Sequence, residues 1–286
     1  MAYSQDILAG TRLQFGKNWR AFVANLEQGQ IDEAERSLTS NLGLAMFPGK
    51  RFLDVGSGSG LFSLAARRLG STVYSFDYDP QSVACAEYLK AKYFPDDPDW
   101  IISEGSALDK EFLERLGTFD VVYSWGVLHH TGAMWDALEN VGNMVASQGR
   151  LFLSIYNDQG GATQVWYAIK AAYNRAPSLL RGLILGCCFL RLWGPRTLLD
   201  LVGGKPFRTW KQYQRTRGMS PWRDVVDWVG GYPFEVARPE QIFHFYRKRG
   251  HVLLGLKTCG GGHGCNEFVF EKLTPGQSPV GVARAL

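Results

Sequence analysis

The chain has few cysteines, and they form no recognisable framework. Its 286 residues contain five, of which Cys187 and Cys188 are adjacent, while Cys259 and Cys265 flank a glycine-rich segment without a C-x-x-C spacing. This pattern disfavours a disulfide-stabilised secreted domain. It also disfavours a metal site around His263, because no fourth ligand has a suitable spacing. We expect reduced structural thiols, which are typical of a cytoplasmic protein.

Long apolar runs and a targeting pattern are also missing. No run approaches the ~20 apolar residues needed to cross a bilayer, and the first residues, MAYSQDILAG, lack a charged and then apolar signal pattern. The net charge of +4 is too small to indicate a nucleic-acid partner by itself. We therefore expect a cytoplasmic protein, with peripheral contact at a membrane as an alternative.

Strand and helix patterns alternate from Arg51 onward. The segments RFLDV, TVYSF, WIISEG, FDVVYSW and RLFLSIYN predict five strands, and amphipathic stretches between them predict helices. Such alternation is typical of a parallel sheet that is wound on both faces. HVLLGLKT and CNEFVFEKL, joined by a glycine-rich loop, predict a terminal antiparallel hairpin.

The most specific motif is LDVGSGSG, at residues 53–60. Its glycines are Gly56, Gly58 and Gly60. The dinucleotide fingerprint G-x-G-x-x-G would need a third glycine at the position of Leu61. Asp54 stands two residues before the first glycine, where a carboxylate repels a pyrophosphate and attracts an ammonium group. S-adenosylmethionine carries an ammonium group and a sulfonium, and it has no phosphate.

A second carboxylate, Asp77, follows at the end of the next predicted strand. A carboxylate at this place accepts hydrogen bonds from ribose hydroxyls. Together with the glycine loop, it indicates a nucleoside ligand at the carboxyl edge of the sheet.

These residues resemble the first motif of the class I S-adenosylmethionine-dependent methyltransferases. The resemblance covers residues 51–156 and 239–273. It implies an α/β fold with a doubly wound, mainly parallel seven-stranded sheet and a terminal antiparallel hairpin, and S-adenosylmethionine as the cofactor. The cofactor-binding residues are then expected to be Asp54, Gly56, Ser57, Gly58, Gly60, Asp77, Tyr78, Ser106, Ala107, Trp125 and Gly126.

Two adjacent histidines follow the fourth predicted strand. His129 and His130 lie in VLHH, a segment that resembles the corresponding one in small-molecule methyltransferases, including those of ubiquinone biosynthesis. Because histidine accepts a proton near neutral pH, either residue is a candidate catalytic base, with Glu235 as a second choice. In the alternative interpretation one histidine packs under the cofactor and the other caps a helix.

The segment between Gly161 and Gly231 departs from the alternating pattern. It holds 11 basic and 3 acidic residues, a charge of 11 − 3 = +8. It is either a helical lid with solvated arginines or a surface for an anionic partner. The apolar stretch SLLRGLILGCCFLRLWG within it is expected to form a buried lid helix, with an interfacial helix as the alternative.

The chain is thus divided into a helical cap at 1–48, a methyltransferase core at 49–158 and 239–273, an insertion at 159–238 over the acceptor site, and a flexible tail at 274–286. The candidate acceptor-binding residues are Tyr156, Asn157, Tyr232, Phe234 and His263. No metal is expected.

The resulting functional prediction is methyl transfer to a small-molecule acceptor, at a phenolic, isoprenoid or sugar hydroxyl, with histidine-assisted deprotonation. The acceptor is expected to be anionic or apolar. One alternative is a nucleic-acid methyltransferase that uses the basic insertion. Another is a non-catalytic cofactor-binding scaffold or one docked on a membrane.

Overall fold

A computed structural model describes residues 2–9, 12, 16–217, 220–274 and 276. Seven strands form one sheet in the order β3-β2-β1-β4-β5-β7-β6. The strands are β1 (Arg51–Val55), β2 (Thr72–Asp77), β3 (Trp100–Glu104), β4 (Phe119–Trp125), β5 (Val145–Tyr156), β6 (His251–Lys257) and β7 (Cys265–Lys272). The first five strands pair in parallel, and β7 is antiparallel to both β5 and β6. The predicted fold class, including the hairpin, is confirmed.

Helices lie before, between and after the strands. They are α1 (Ala2–Leu8), α2 (Gly16–Ala24), α3 (Gln28–Leu42), α4 (Leu61–Arg68), α5 (Pro80–Tyr93), α6 (Lys110–Leu116), α7 (Met134–Asn143), α8 (Gly161–Arg175), α9 (Ser178–Val202), α10 (Arg208–Arg217), α11 (Pro221–Gly230) and α12 (Pro239–Arg247). Local sequence explains the starts of several. At α5, for example, the Asp79 carboxylate accepts from the Gln81 N–H, and Pro80 occupies the first helical position.

Each face of the sheet has its own hydrophobic core. On one face Leu38 of α3, Leu64 of α4 and Leu89 of α5 pack in one cluster with strand residues. On the other face Leu138 of α7 and Ile242 of α12 pack in a second cluster. The central strands are buried on both sides, which is why β1 reads as a nearly continuous apolar run.

The insertion folds as four helices, α8 to α11, around a third core. Trp166, Tyr173, Trp193 and Val229 are buried there. Because large aromatic side chains fill this core, the insertion packs as a unit over the ends of β4 and β5. A hydrogen bond from Ala237 N–H to the Tyr156 carbonyl (3.0 Å) ties its return segment to β5.

Helix α9 is less buried than the lid helix that was expected from the sequence. Of its 25 residues only Leu185, Cys188 and Trp193 are buried, and leucines such as Leu179 stay exposed on the opposite side (88%). Within the described part of the chain it is also the one helix long and apolar enough, by length and composition, to cross a membrane. The expectation of a buried helix is therefore wrong for one of its faces.

Two further expectations concern the chain end and the cysteines. The predicted tail at 274–286 lies outside the described residues, apart from Thr274 and Gly276. All five cysteines are free thiols. Among the residues that the structure describes, no group of three or more His, Cys, Asp or Glu is arranged to hold a metal ion.

The glycine at the start of α4 allows α4 and α5 to approach closely. Gly60 has a φ of 79°, and a Cβ atom there would lie 2.8 Å from the Cα atom of Ala86 on α5. We expect Gly60→Ala to lower the free energy of unfolding by about 3 kcal/mol, since left-handed strain and overpacking add. Gly250→Ala, at a φ of 74° with no atom within 4 Å, should cost about 1 kcal/mol from the strain alone. Equal losses in urea unfolding of the two variants would contradict the packing argument.

Candidate active site

The carboxyl ends of β1, β2, β4 and β5 meet at one edge of the sheet, where ligands of doubly wound folds bind. Two groups of polar residues lie there. The first group follows β1 and β2 and contains carboxylates. The second follows β4 and β5 and contains histidines, with the insertion beside it.

The glycine loop after β1 turns sharply beneath the N-terminal helices. Gly56 and Ser57 donate their N–H groups to the Phe76 carbonyl at the end of β2. Gly58 lies so close to Trp19 that a Cβ atom added at Gly58 would be 3.1 Å from the indole. The hydroxyl of Ser57 is buried and has no hydrogen-bond partner among the described residues. The loop therefore offers both a close backbone approach and an unpaired polar atom to a ligand.

Asp77 lies beside this loop with its carboxylate held in place. One oxygen accepts from the Gly58 N–H and the other from the Asp79 N–H, each at 2.8 Å. Burial raises the pKa of Asp77 to about 6, although these two hydrogen bonds oppose the rise. Each oxygen retains a lone pair, so the side chain can also accept from ribose hydroxyls.

Asp54 is held below the loop by a chain of buried hydrogen bonds. The Trp100 indole donates to Ser75 (2.9 Å), Ser75 donates to Ser63 (2.7 Å), and Ser63 donates to Asp54 Oδ2 (2.5 Å). Burial raises the pKa of Asp54 to about 7, and the charge of Asp77 contributes in the same direction. These two carboxylates thus form an electronegative site that lowers its energy by taking a cation.

We call this edge of the sheet the rim, and the part of it that follows β1 and β2 the donor half. The donor half fits S-adenosylmethionine, the methyl donor, and disfavours a phosphate ligand. Its carboxylates repel anions, whereas the ammonium and sulfonium groups of the donor supply the missing positive charge. The unpaired Ser57 hydroxyl gives an independent reason to expect a polar ligand at the same place. The residues that would hold the donor are those of the loop, with Asp54 and Asp77.

The remaining predicted cofactor residues line the same rim. Tyr78 donates its hydroxyl to Asp6 at 3.0 Å. Ser106 accepts the Leu108 N–H at 3.2 Å in a local turn, the Ala107 carbonyl accepts from Asn140 at 2.9 Å, and the Trp125 indole donates to Glu267 at 3.1 Å. Gly126 continues the chain with a φ of 75°. Their roles in binding the donor stay predictions.

Residues of the predicted N-terminal cap contact this rim. The guanidinium of Arg12 lies over the Tyr78 ring at 4.8 Å and donates to the His130 carbonyl at 3.1 Å. The Gly16 N–H donates to Asp79 Oδ2 at 2.8 Å. Asn18 on α2 donates to Asp227 on α11. The segment therefore bridges the donor half of the rim and the insertion.

The two neutral histidines carry their proton on different ring nitrogens. His130 Nδ1 lies 2.6 Å from the Pro233 carbonyl, which only accepts, so Nδ1 carries the proton and Nε2 carries the lone pair. His129 Nδ1 accepts the Tyr156 N–H at 3.3 Å, so its proton is on Nε2. These assignments follow from the hydrogen bonds. His130 is thus arranged as a proton acceptor and His129 as a donor.

Burial keeps both imidazoles neutral. It lowers the pKa of His130 to about 3, with the positive charges of Lys170 and Arg12 adding to the effect and the Pro233 carbonyl opposing it. The pKa of His129 is lowered well below its usual value for the same main reason, with His130 and Lys170 contributing. Neither ring is charged at neutral pH.

Lys170 is a functional candidate that the sequence did not single out from the other basic residues of the insertion. It is fully buried, donates to the Trp228 carbonyl, and lies 4.1 Å from the Trp228 ring centre and 4.6 Å from that of Phe234. Burial lowers its pKa to about 7. The one available signal was its position on the same α8 face as Trp166 and Tyr173.

The candidate acceptor residues gather around this lysine. The Tyr156 ring packs against His129 (3.8 Å), Trp228 (5.0 Å) and Phe234 (5.6 Å). His263 packs against Trp228 at 4.1 Å, and burial lowers its pKa to about 4.

Three other predicted residues make contacts that hold the surrounding loops. Asn157 accepts from Asn266 at 3.0 Å and donates to the Gly262 carbonyl at 3.3 Å, which fixes the hairpin loop. The Tyr232 hydroxyl lies 3.4 Å from that of Tyr167. The oxygens of Glu235 accept from the Gly132 N–H (2.9 Å) and the Met134 N–H (3.0 Å) at the start of α7. Its catalytic role stays a prediction, and its position stabilises the turn after His130.

Solved structures share this fold at low sequence identity. Magnesium protoporphyrin IX methyltransferase from Synechocystis PCC 6803, solved with bound SAH, aligns with a TM-score of 0.52 and 14% identity over 90% of this chain and 93% of that chain. An O-methyltransferase family protein from Burkholderia thailandensis aligns with a TM-score of 0.53 and 14% identity over 90% of this chain and 59% of that one. These likenesses show a methyltransferase-type fold.

Sequence comparison identifies the family of the chain. Residues 28–200 match the family model described as a methyltransferase domain. The tRNA U34 carboxymethyltransferase of Ectopseudomonas mendocina (strain ymp) is 34% identical over 119 residues, 41% of this chain and 35% of that protein. The ubiquinone biosynthesis O-methyltransferase of Caulobacter sp. (strain K31) is 28% identical over 121 residues, 40% of this chain and 44% of that protein. The matches thus span less than half of these relatives' lengths.

The chain belongs to the methyltransferase domain family. The predicted enzyme class, S-adenosylmethionine-dependent methyltransferase, and the predicted donor are confirmed at the level of this family. The acceptor is a separate question.

The donor half of the rim predicts a pH-dependent affinity for S-adenosylhomocysteine. Protonation of Asp77 near pH 6 removes an anionic acceptor for the ribose hydroxyls, so calorimetry should show weaker binding as the pH falls through this value. Asp77→Asn should bind at least about tenfold more weakly at pH 7.5 and lose the part of the pH dependence near pH 6, so that only the titration of Asp54 near pH 7 remains. Asp96→Asn, on an exposed turn, is the matched control, and equal behaviour of the two variants would argue against Asp77 as a ligand.

Burial of Lys170 predicts a stability that rises with pH. Its pKa is about 7 in the folded protein and about 10.5 in the unfolded chain, so folding disfavours its charged form. This stabilising contribution is complete above the unfolded value and is lost as the pH falls through the folded value. The free energy of unfolding should therefore rise between pH 7 and 10 by up to about 4 kcal/mol relative to Lys170→Met. The same pH profile in both proteins would contradict the assignment.

Proposed function

We propose that the chain transfers a methyl group from S-adenosylmethionine to an oxygen atom of a small-molecule acceptor, at the ends of β4 and β5 beside the insertion. One observation supports this choice above the others. His129 Nε2 and Trp228 Nε1 are buried without a hydrogen-bond partner among the described residues. Both rings contact Tyr156.

Unpaired buried donors favour a ligand with oxygen lone pairs. Leaving an N–H group buried and unpaired costs about 1–3 kcal/mol, and two such groups lie within one aromatic cluster. Lys170 adds a third donor, since among the residues that the structure describes the carbonyl of Trp228 is the one hydrogen-bond acceptor for its ammonium group. A hydroxyl or phenolate oxygen would satisfy these donors, whereas a protonated amine would be repelled by the lysine.

His130 is the base in this proposal, because its Nε2 carries the lone pair. The bound donor supplies a methyl group on a sulfonium, which is already an activated electrophile. As the acceptor oxygen forms its bond to the methyl carbon and the carbon–sulfur bond breaks, the hydroxyl proton passes to Nε2 of His130. The Pro233 carbonyl then stabilises the imidazolium through Nδ1–H. The low pKa of His130 keeps its imidazole neutral, and so able to take a proton, at neutral pH.

A nucleic-acid acceptor is the second candidate. It is favoured by the charge of the insertion, +8 from 11 basic and 3 acidic residues, and by a relative named for tRNA U34. In that case the affinity for tRNA should fall steeply with salt concentration. A shallow salt dependence, or no binding, would leave the small-molecule acceptor as the better proposal.

The experiment is incubation with methyl-labelled S-adenosylmethionine and fractionated extracts, followed by mass spectrometry of the labelled products. We expect a small molecule that carries a new methoxy group. With that acceptor, His130→Ala should lower the rate of transfer by about 10²–10⁴-fold while S-adenosylhomocysteine still binds. His244→Ala, at an exposed position on α12, should leave the rate unchanged. Methylation of nitrogen, or an unaffected rate in His130→Ala, would overturn the corresponding part of the proposal.

A further inference from the structure

Helix α9 exposes a continuous stripe of leucines. The exposed fractions are 88% for Leu179, 64% for Leu183, 69% for Leu190 and 62% for Leu198. At 100° per residue these positions lie within roughly 100° of the helix circumference. The 25-residue helix is about 37 Å long, so the stripe is larger than the scattered apolar side chains of an ordinary soluble surface.

The other face of α9 is held by the insertion. Leu185, Cys188 and Trp193 are buried in the core formed with α8 and α11. The Trp193 ring packs against Tyr213 on α10 at 4.9 Å. Because the helix is committed to protein on this face, it can place its leucine stripe in a lipid surface while it remains outside a bilayer-spanning position.

Basic residues accompany the stripe. Arg191 follows Leu190 directly, at the edge of the stripe, and Lys205, Arg208 and Lys211 lie beyond its C-terminal end; all four are exposed. The nearest acid, Asp200, accepts from the backbone N–H and the hydroxyl of Thr209, at 2.7 Å each. An apolar face with cations and few free anions is complementary to a surface of anionic headgroups.

We propose that α9 docks the enzyme on an anionic lipid bilayer, with the leucine stripe among the acyl chains and the basic residues at the headgroups. A second copy of the chain fits less well, because an isologous contact would bring the same basic residues together. The proposal does not depend on which acceptor is methylated. It places the insertion next to lipid, together with the acceptor half of the rim, which is the part that follows β4 and β5.

The test is co-sedimentation of the full chain with phosphatidylcholine vesicles, with and without phosphatidylglycerol. The wild type should bind the anionic vesicles, and added salt should weaken the binding. Leu183→Glu combined with Leu190→Glu should reduce the bound fraction at least about tenfold, because it removes two inserted leucines and adds charge.

Ile101→Glu combined with Leu256→Glu is the matched control. It makes the same change of net charge at two exposed aliphatic residues, 49% and 47% accessible, outside the insertion, and it should bind vesicles nearly as the wild type does. S-adenosylhomocysteine binding verifies that each variant is folded. Equal losses in the two double variants, wild-type binding that ignores phosphatidylglycerol, or a dimer in sedimentation that the α9 variant abolishes would overturn the proposal.

Discussion

The site depends on a constraint of strand direction. Because β1, β2, β4 and β5 run parallel, their last residues and the turns after them meet at a single edge, although they lie far apart in the sequence. Asp54 and Asp77 arrive there from the first half of the sheet, and His129 and His130 arrive from the second. The antiparallel hairpin then brings His263 to the same edge from the far end of the core. No local interaction would assemble these residues.

The two halves of the rim carry opposite electrostatic character. Carboxylates with raised pKa values lie beside the glycine loop, whereas a lysine and three histidines with lowered pKa values lie near the insertion. In the proposed reaction the first half would stabilise the cationic sulfonium donor, and the second would offer hydrogen-bond donors to an electron-rich acceptor. This polarity would orient the electrophile toward the nucleophile before any bond changes, and positioning of this kind supplies much of the rate in displacement reactions.

The sequence predicted those parts that depend on local pattern. The glycine spacing, Asp77 and the terminal hairpin were all readable, since each rests on a few consecutive residues. Lys170, Trp228 and Asn18 were not, because their environments arise from contacts between helices that are distant along the chain. The burial of helix α9 was predicted wrongly for a different reason. The helix is apolar on both faces, a pattern typical of a buried helix, and only the fold reveals which leucines, such as Leu183, are exposed in the part of the chain that the structure describes.

The bridge made by the N-terminal segment has a mechanical consequence. The Gly16 N–H donates to Asp79 beside the donor loop, and Asn18 donates to Asp227 on the insertion. Because Gly16 and Asn18 are two residues apart on α2, a displacement of this segment would strain both hydrogen bonds together. A shift of the insertion would therefore be transmitted to the donor loop, and a shift of the loop to the insertion.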